Sequence, residues 1–288
     1  VVGGGLLFAF NISKQALAST ATKYPNAISG ALQPNAFLQI TPDNRVIFQM
    51  HKAEMGQGIL TGLTTLVAEE LGIDPREIET EFADVHPEFI NPFFGMQITN
   101  ASSSMITCYQ PVREAAACVR TLLLDAAAKE WKTKPMALEA RDGLIIERKG
   151  RRSAPMGEFA SLAESLPVPE KVELKATEEF RFIGKFNGRL EAAQKVNGTA
   201  VYGIDAKVPD ALTAVVVRCP HFGGSVKSFD SSVAMKSRAV VDIFQIARGI
   251  AVVADNYWHA REAANKLQIE WDAGPYADVS SASIASEQ

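Results

Sequence analysis

Two short runs hold the residue types from which an anion site can be built. The first is Glu54-Met55-Gly56-Gln57-Gly58. It lies between a strand-like run and an apolar helical pattern. Two glycines permit close backbone approach and unusual dihedrals. The helix that follows offers unpaired N–H groups to a negative charge. Gln57 adds an amide that both donates and accepts. The plainer reading is an ordinary strand-to-helix turn. The second run is Thr99-Asn100-Ala101-Ser102-Ser103-Ser104, again just before a helical pattern. Hydroxyls and backbone N–H groups at a helix start can hold a phosphate together. Here the plainer reading is helix capping plus a solvated serine loop. Two such anion seats in one small region, with Gly56, Gln57 and Gly58 in one and Thr99, Ser102, Ser103 and Ser104 in the other, are less easily dismissed.

Other reactive types show no comparable pattern. His51, His86, His221 and His259 lack metal-ligand spacing and read as solvated or capping residues. Cys108, Cys118 and Cys219 form no Cys-x-x-Cys pair, which argues against a zinc or iron–sulfur site within the chain. Cys118 falls in an apolar helical run, as a buried thiol does. Glu69-Glu70 read as facing solvent or capping charge, with no paired partner for acid–base work. His221-Phe222-Gly223-Gly224 reads as a plain turn. No residue is assigned a catalytic or metal-binding role.

Several elements must position the two runs. Phe37–Gln49 alternates around Pro42-Asp43-Asn44 and predicts a hairpin. Leu60, Leu63, Leu66, Val67 and Leu71 predict a helix closed by Gly72. Residues 78–85 read as a strand, 87–107 as a long loop, and the run through Val112, Val119, Leu122 and Ala126 as a helix. Prolines and charges mark a boundary near 165–180. Beyond it, strands are predicted at 200–204, 212–217, 240–244, 250–254 and 267–271, with a helix at 257–266. Strands mixed with helices indicate an α+β protein. The expected organisation is an arm at 1–35, a cofactor-binding segment at 36–165, a second domain at 180–274 and a tail at 275–288. With 288 residues, 47% of them apolar, the chain can bury a sizeable core. The net charge of −4 lacks the basic footprint of a nucleic-acid binder. Val1–Phe10 reads as the apolar core of an export signal, too short to span a bilayer as a helix.

The glutamine turn, followed some forty residues later by the Thr/Ser turn and an Ala-rich helix, resembles the molybdopterin-binding large subunits of the xanthine dehydrogenase/aldehyde oxidase family. The likeness is to the isoquinoline 1-oxidoreductase beta and bacterial aldehyde dehydrogenase type. Arg189–Asp205 and Gly249–Asp272 are similar to that family's α/β hammerhead domain. It follows the glutamine turn here, as in the isoquinoline-type subunits. The resemblance implies an N-terminal part of a molybdenum hydroxylase that oxidises aldehydes or N-heterocycles with water as oxygen source. It implies molybdopterin, as the cytosine dinucleotide, with molybdenum. It also implies the remainder of the large subunit, a small subunit with [2Fe–2S] clusters and a cytochrome c subunit as partners, and a periplasmic location reached by twin-arginine-type export. Asn100-Ala101 departs from the family's Gly-Gly. Phe93-Phe94-Gly95-Met96 lacks the second glycine of the Phe-Gly-Gly turn, and the general base lies on segments not matched here. The alternatives are a non-catalytic scaffold of an oxidoreductase complex and an unrelated anion-binding module.

Overall fold

The computed structural model describes residues 37–185 and 188–287, so the predicted arm at 1–35 lies outside the described residues. The chain divides into two compact units at Ala200/Val201.

In the first unit, β1 (Leu38–Ile40) and β2 (Val46–Met50) form the expected hairpin. Helix α1 (Ile59–Leu71) then crosses over to β3 (Ile78–Phe82), which pairs parallel to β2. All five β2 side chains are buried, as befits the middle strand of a covered sheet. Gly72 closes α1 in the left-handed region, and its N–H reaches the carbonyls of Ala68 and Glu69. A Cβ there would sit 2.6 Å from the Ala140 carbonyl oxygen, so no larger residue fits. Helix α2 (Ser103–Trp131) packs along α1 through Val112, Ala116, Val119, Leu123 and Ala126. It starts earlier than its apolar pattern suggests, so residues 103–107 of the predicted loop are helical. Pro111 lies inside it, removing one backbone donor without ending it.

A meander of β4 (Leu138–Arg141), β5 (Leu144–Glu147) and β6 (Ser153–Pro155) follows, then α3 (Ala160–Glu164). Residues 180–200 belong to this unit, so the division falls later than the predicted 165–180. The cause is electrostatic as well as apolar. Phe182 packs in the core, and the N–H groups of Arg181, Phe182 and Ile183 all bond Glu69. Glu69 and Glu70 are therefore fully buried, not solvent-facing. Glu70 takes the Arg113 guanidinium at 2.6 Å, together with Arg120. The segment ends in α4 (Ala192–Asn197).

The second unit contains an antiparallel sheet of β7 (Thr213–Val217), β10 (Gly249–Ala254) and β9 (Val240–Ile246), in that spatial order. Helix α5 (Tyr257–Ala264) covers it, burying Val215, Ile243, Val252, Ala260 and Ala263. A ribbon of β8 (Ser225–Asp230) and β11 (Gln268–Asp272) completes it. Strand β8 has no counterpart among the sequence expectations, because only Val226 and Phe229 mark its inward side. The strand expected at 200–204 is absent. Gly203–Asp205 is a single 3-10 turn closed by Tyr202 N–H on the Asp205 carboxylate, and Val201 and Ile204 are exposed. The tail includes α6 (Ser281–Glu287). Both units mix helices and sheets, as the α+β expectation requires. Among the described residues, no helix is long and apolar enough to cross a membrane.

Candidate cofactor-binding site

The glutamine turn leaves β2 and enters α1. Gly56 and Gly58 both take positive φ, at 99° and 89°, which suits glycine and little else. The Glu54 carboxylate folds back over the turn. Its Oε1 accepts N–H groups from Gly56 at 2.8 Å and Gly58 at 3.0 Å, and its Oε2 accepts from Leu60 at 2.9 Å. Burial pushes this carboxyl up. The three N–H bonds and the nearby Lys195 charge outweigh that and hold it below the usual carboxylate range. The Gln57 amide is turned inward as well: Oε1 accepts from Met55 N at 2.6 Å, and Nε2 donates to the Ala53 carbonyl at 2.9 Å. The turn's own side chains have taken these donors.

The second turn is tied to the first. Ala53 N–H donates to Thr99 Oγ1 at 2.8 Å, and the buried Lys52 ammonium donates to the Ile98 carbonyl at 3.0 Å. Ala101 and Ser102 then adopt left-handed backbone at φ 51° and 53°. Two consecutive non-glycine residues there store strain of order 1–3 kcal/mol each, a feature that concentrates at binding sites. The conformation persists although neither alanine nor serine favours it.

The serines divide. Ser103 is buried away from the cleft; its hydroxyl donates to the Asn100 carbonyl at 2.7 Å and accepts from Asn91 Nδ2 at 2.8 Å. Ser102 makes no side-chain cap bond to α2. Ser104 is 8% exposed, and its hydroxyl has no hydrogen-bond partner among the described residues.

Between the turns lies an open cleft of about 530 Å³. Met55, Gln57, Gly58 and Ile59 form one side; Thr99–Ser102, Ser104 and Met105 form the other. Of the seven predicted binding residues, Gln57, Gly58, Thr99, Ser102 and Ser104 line it, while Gly56 and Ser103 brace it from outside. Gly62 lets Met105 approach, since a Cβ there would lie 2.8 Å from Met105 Cε.

Sequence reasoning missed three contributors. Glu54 was in the motif, but its acceptor role shows only as a carboxylate two and four residues before glycine N–H groups. Asn91 fixes Ser103 and had no signal. Arg189 donates to the Gly56 carbonyl from 133 residues away, a contact only the fold creates. His51, expected to be solvated or capping, is buried against Phe37 and Phe89, with Nε2 3.2 Å from Cys108 Sγ. Burial lowers its pKa to about 3 and pushes the Cys108 thiol up. Among the described residues no group of three metal-binding side chains occurs.

Residues 8–217 match the model of the molybdopterin cofactor-binding domain. The chain is 29% identical to the isoquinoline 1-oxidoreductase subunit beta of Brevundimonas diminuta, covering 93% of this chain and 38% of that protein. It is also 29% identical to the membrane-bound aldehyde dehydrogenase [pyrroloquinoline-quinone] of Gluconacetobacter polyoxogenes, covering 95% and 36%. It therefore spans less than two-fifths of the length of these relatives. Among solved structures, quinoline 2-oxidoreductase from Pseudomonas putida 86 aligns at 18% identity and TM-score 0.36, over 48% of this chain and 18% of that one. With nearly three-quarters of its length matched, the chain belongs to the molybdopterin cofactor-binding domain family, within the xanthine dehydrogenase/aldehyde oxidase group of molybdenum enzymes.

Proposed function

We propose that the cleft holds the phosphate-bearing tail of a molybdopterin cofactor, in its cytosine dinucleotide form. The chain would then be the cofactor-binding part of a molybdenum hydroxylase large subunit. The observation that carries this reading is that two turns 46 residues apart, joined by Ala53 N–H on Thr99 Oγ1, line one cleft. The donor set fits an anion at the second turn. Ser104, a mostly buried residue on the cleft wall, and Ser102 present hydroxyls, and α2 starts at the cleft, worth about 0.3–1 kcal/mol to a negative group. Thr99 accepts with its oxygen and keeps its O–H to donate.

When bound, the molybdenum cofactor supplies the oxidation chemistry, with water as oxygen source. This chain's residues bind and orient it. Ser102 and Ser104 donate to the anionic oxygens, and Met55, Ile59 and Met105 keep the walls apolar. Aldehydes or N-heterocycles are the substrate classes, supported by the names of the relatives. A hammerhead domain in the second unit, from residue 201 on, is supported by the Gly249–Asp272 resemblance. Relatives named as subunits support a multi-subunit complex. The partners proposed are the rest of the large subunit, a [2Fe–2S] subunit and a cytochrome c subunit. The apolar run Val1–Phe10 supports export to the periplasm.

A second reading, a scaffold that has lost its cofactor, is favoured by Glu54 occupying the N–H groups at the start of α1. Molybdenum and pterin analysis of the purified native complex separates the two. Our reading predicts about one molybdenum and one pterin per copy of this chain. Their absence from an intact complex would support the scaffold.

A further inference from the structure

Lys52 is a buried cation without a counter-charge. It is 2% exposed, and its ammonium makes one hydrogen bond among the described residues, to the Ile98 carbonyl at 3.0 Å. An ammonium carries three donors, so the others are left over. No carboxylate of the described residues lies within ion-pair distance. Its charge reaches His51 and Cys108, but burial keeps the first a neutral imidazole and the second a thiol, so neither answers it. Residues 1–36, which lie outside the described set, contain neither Asp nor Glu. A buried cation in this condition is costly unless an acid is brought to it.

Lys52 lines a second cavity, of about 330 Å³, which shares only Met55 and Thr99 with the cofactor cleft. It lies where the parallel strands β2 and β3 end, at Met50 and Phe82. Three apolar side chains on its wall are open to solvent: Met55 at 68%, Phe82 at 62% and Val85 at 89% exposure. The wall itself is firm, since the Gln97 amide accepts from His86 N–H and donates to the Asp84 carbonyl. Among the described residues β3 is an edge strand, so its outer backbone groups can accept another strand. Exposed apolar side chains beside a sheet edge are what a docked polypeptide covers.

We infer that this cavity is a docking socket for a segment of the remainder of the large subunit, which brings an Asp or Glu carboxylate onto Lys52 and covers Met55, Phe82 and Val85 with apolar side chains. The relatives leave ample polypeptide to supply it, since this chain covers 38% of one and 36% of another. That the segment belongs to a molybdenum hydroxylase rests on the reading above; that Lys52 awaits a carboxylate does not.

The test uses the native complex. A density map should show one Asp or Glu carboxylate, from polypeptide outside residues 1–288, in ion-pair contact with Lys52 Nζ, and Phe82 and Val85 covered. Lys52→Met keeps an apolar stem and removes the charge. In the complex it should speed amide hydrogen exchange at residues 82–85 about tenfold, the loss of one charge-assisted hydrogen bond, and leave β1 and β2 as in the parent. Exchange rising equally along β1 and β2 would show that Lys52 only braces the fold, and would overturn the inference. So would a map in which water, a small molecule, the pterin or a carboxylate of residues 1–288 fills the cavity. A complex that lacks pterin but carries the carboxylate on Lys52 would sink the cofactor reading alone.

Discussion

Ser103 and Ser104 are neighbours in sequence, yet one holds the turn together and the other faces the cleft. Their substitutions should therefore separate. Ser103→Ala strips the partner from Asn91 Nδ2, in a buried position, and should cost about 1–3 kcal/mol of stability in urea unfolding. Ser104→Ala breaks no intramolecular side-chain bond. It should leave stability within about 0.5 kcal/mol of the parent while lowering pterin retention in the complex. His51 gives a pH signature. Its folded pKa is depressed to about 3 because burial disfavours the imidazolium, whereas the unfolded residue titrates near 6.5. Its contribution is thus complete above pH 6.5. It declines as pH falls from there toward 3, because only the unfolded chain takes up the proton, at a slope of about 1.4 kcal/mol per pH unit. His51→Phe should flatten that limb of a stability-versus-pH curve recorded between pH 7 and 4. At this scale the sequence was half legible. It named the residues around the cleft, because glycine, glutamine and serine before a helix are recognisable. It could not give their directions, which depend on the Glu54 carboxylate and on two left-handed residues in succession.

The elements were legible where one face is buried in a regular pattern. Leu60 to Leu71 and Val112 to Ala126 lie where their spacing puts them, and Gly72 ends α1. What spacing did not show is that α1 also buries charge on its last turn. Glu69 and Glu70 hold the segment 173–183 against the helix, Glu69 through three backbone N–H groups and Glu70 through Arg113 and Arg120. Glu70→Ala would leave two largely buried guanidinium groups facing each other without a counter-charge. It should destabilise the chain by about 3–5 kcal/mol in urea unfolding. Glu69→Ala should speed amide hydrogen exchange at 181–183 more than at the β2 amides, since it releases that segment without opening the sheet. This lock also explains why the units divide at 200 and not near 170. Proline and charge make 165–180 look like a linker, but the Lys175 side chain and the backbone carbonyls of Glu173 and Lys175 are tied to α1 and α2. Residues 200–204 misled in the opposite sense: β-branched and aromatic types suggest a strand, and the segment pairs with nothing.

For the molecule as a whole, the first unit brings the start of α1 and the start of α2 to one cleft, a convergence that a linear reading can suggest but not measure. Family membership follows from the match over residues 8–217, while the named activities are those of relatives more than twice this length. The most direct test is a density map of the native complex at a resolution that shows phosphate groups. It should reveal a pterin tail in the cleft, its phosphate within hydrogen-bonding distance of Ser102 and Ser104, and Glu54 still turned onto Gly56, Gly58 and Leu60. A pterin bound elsewhere on the complex, with this cleft filled by solvent, would contradict the account.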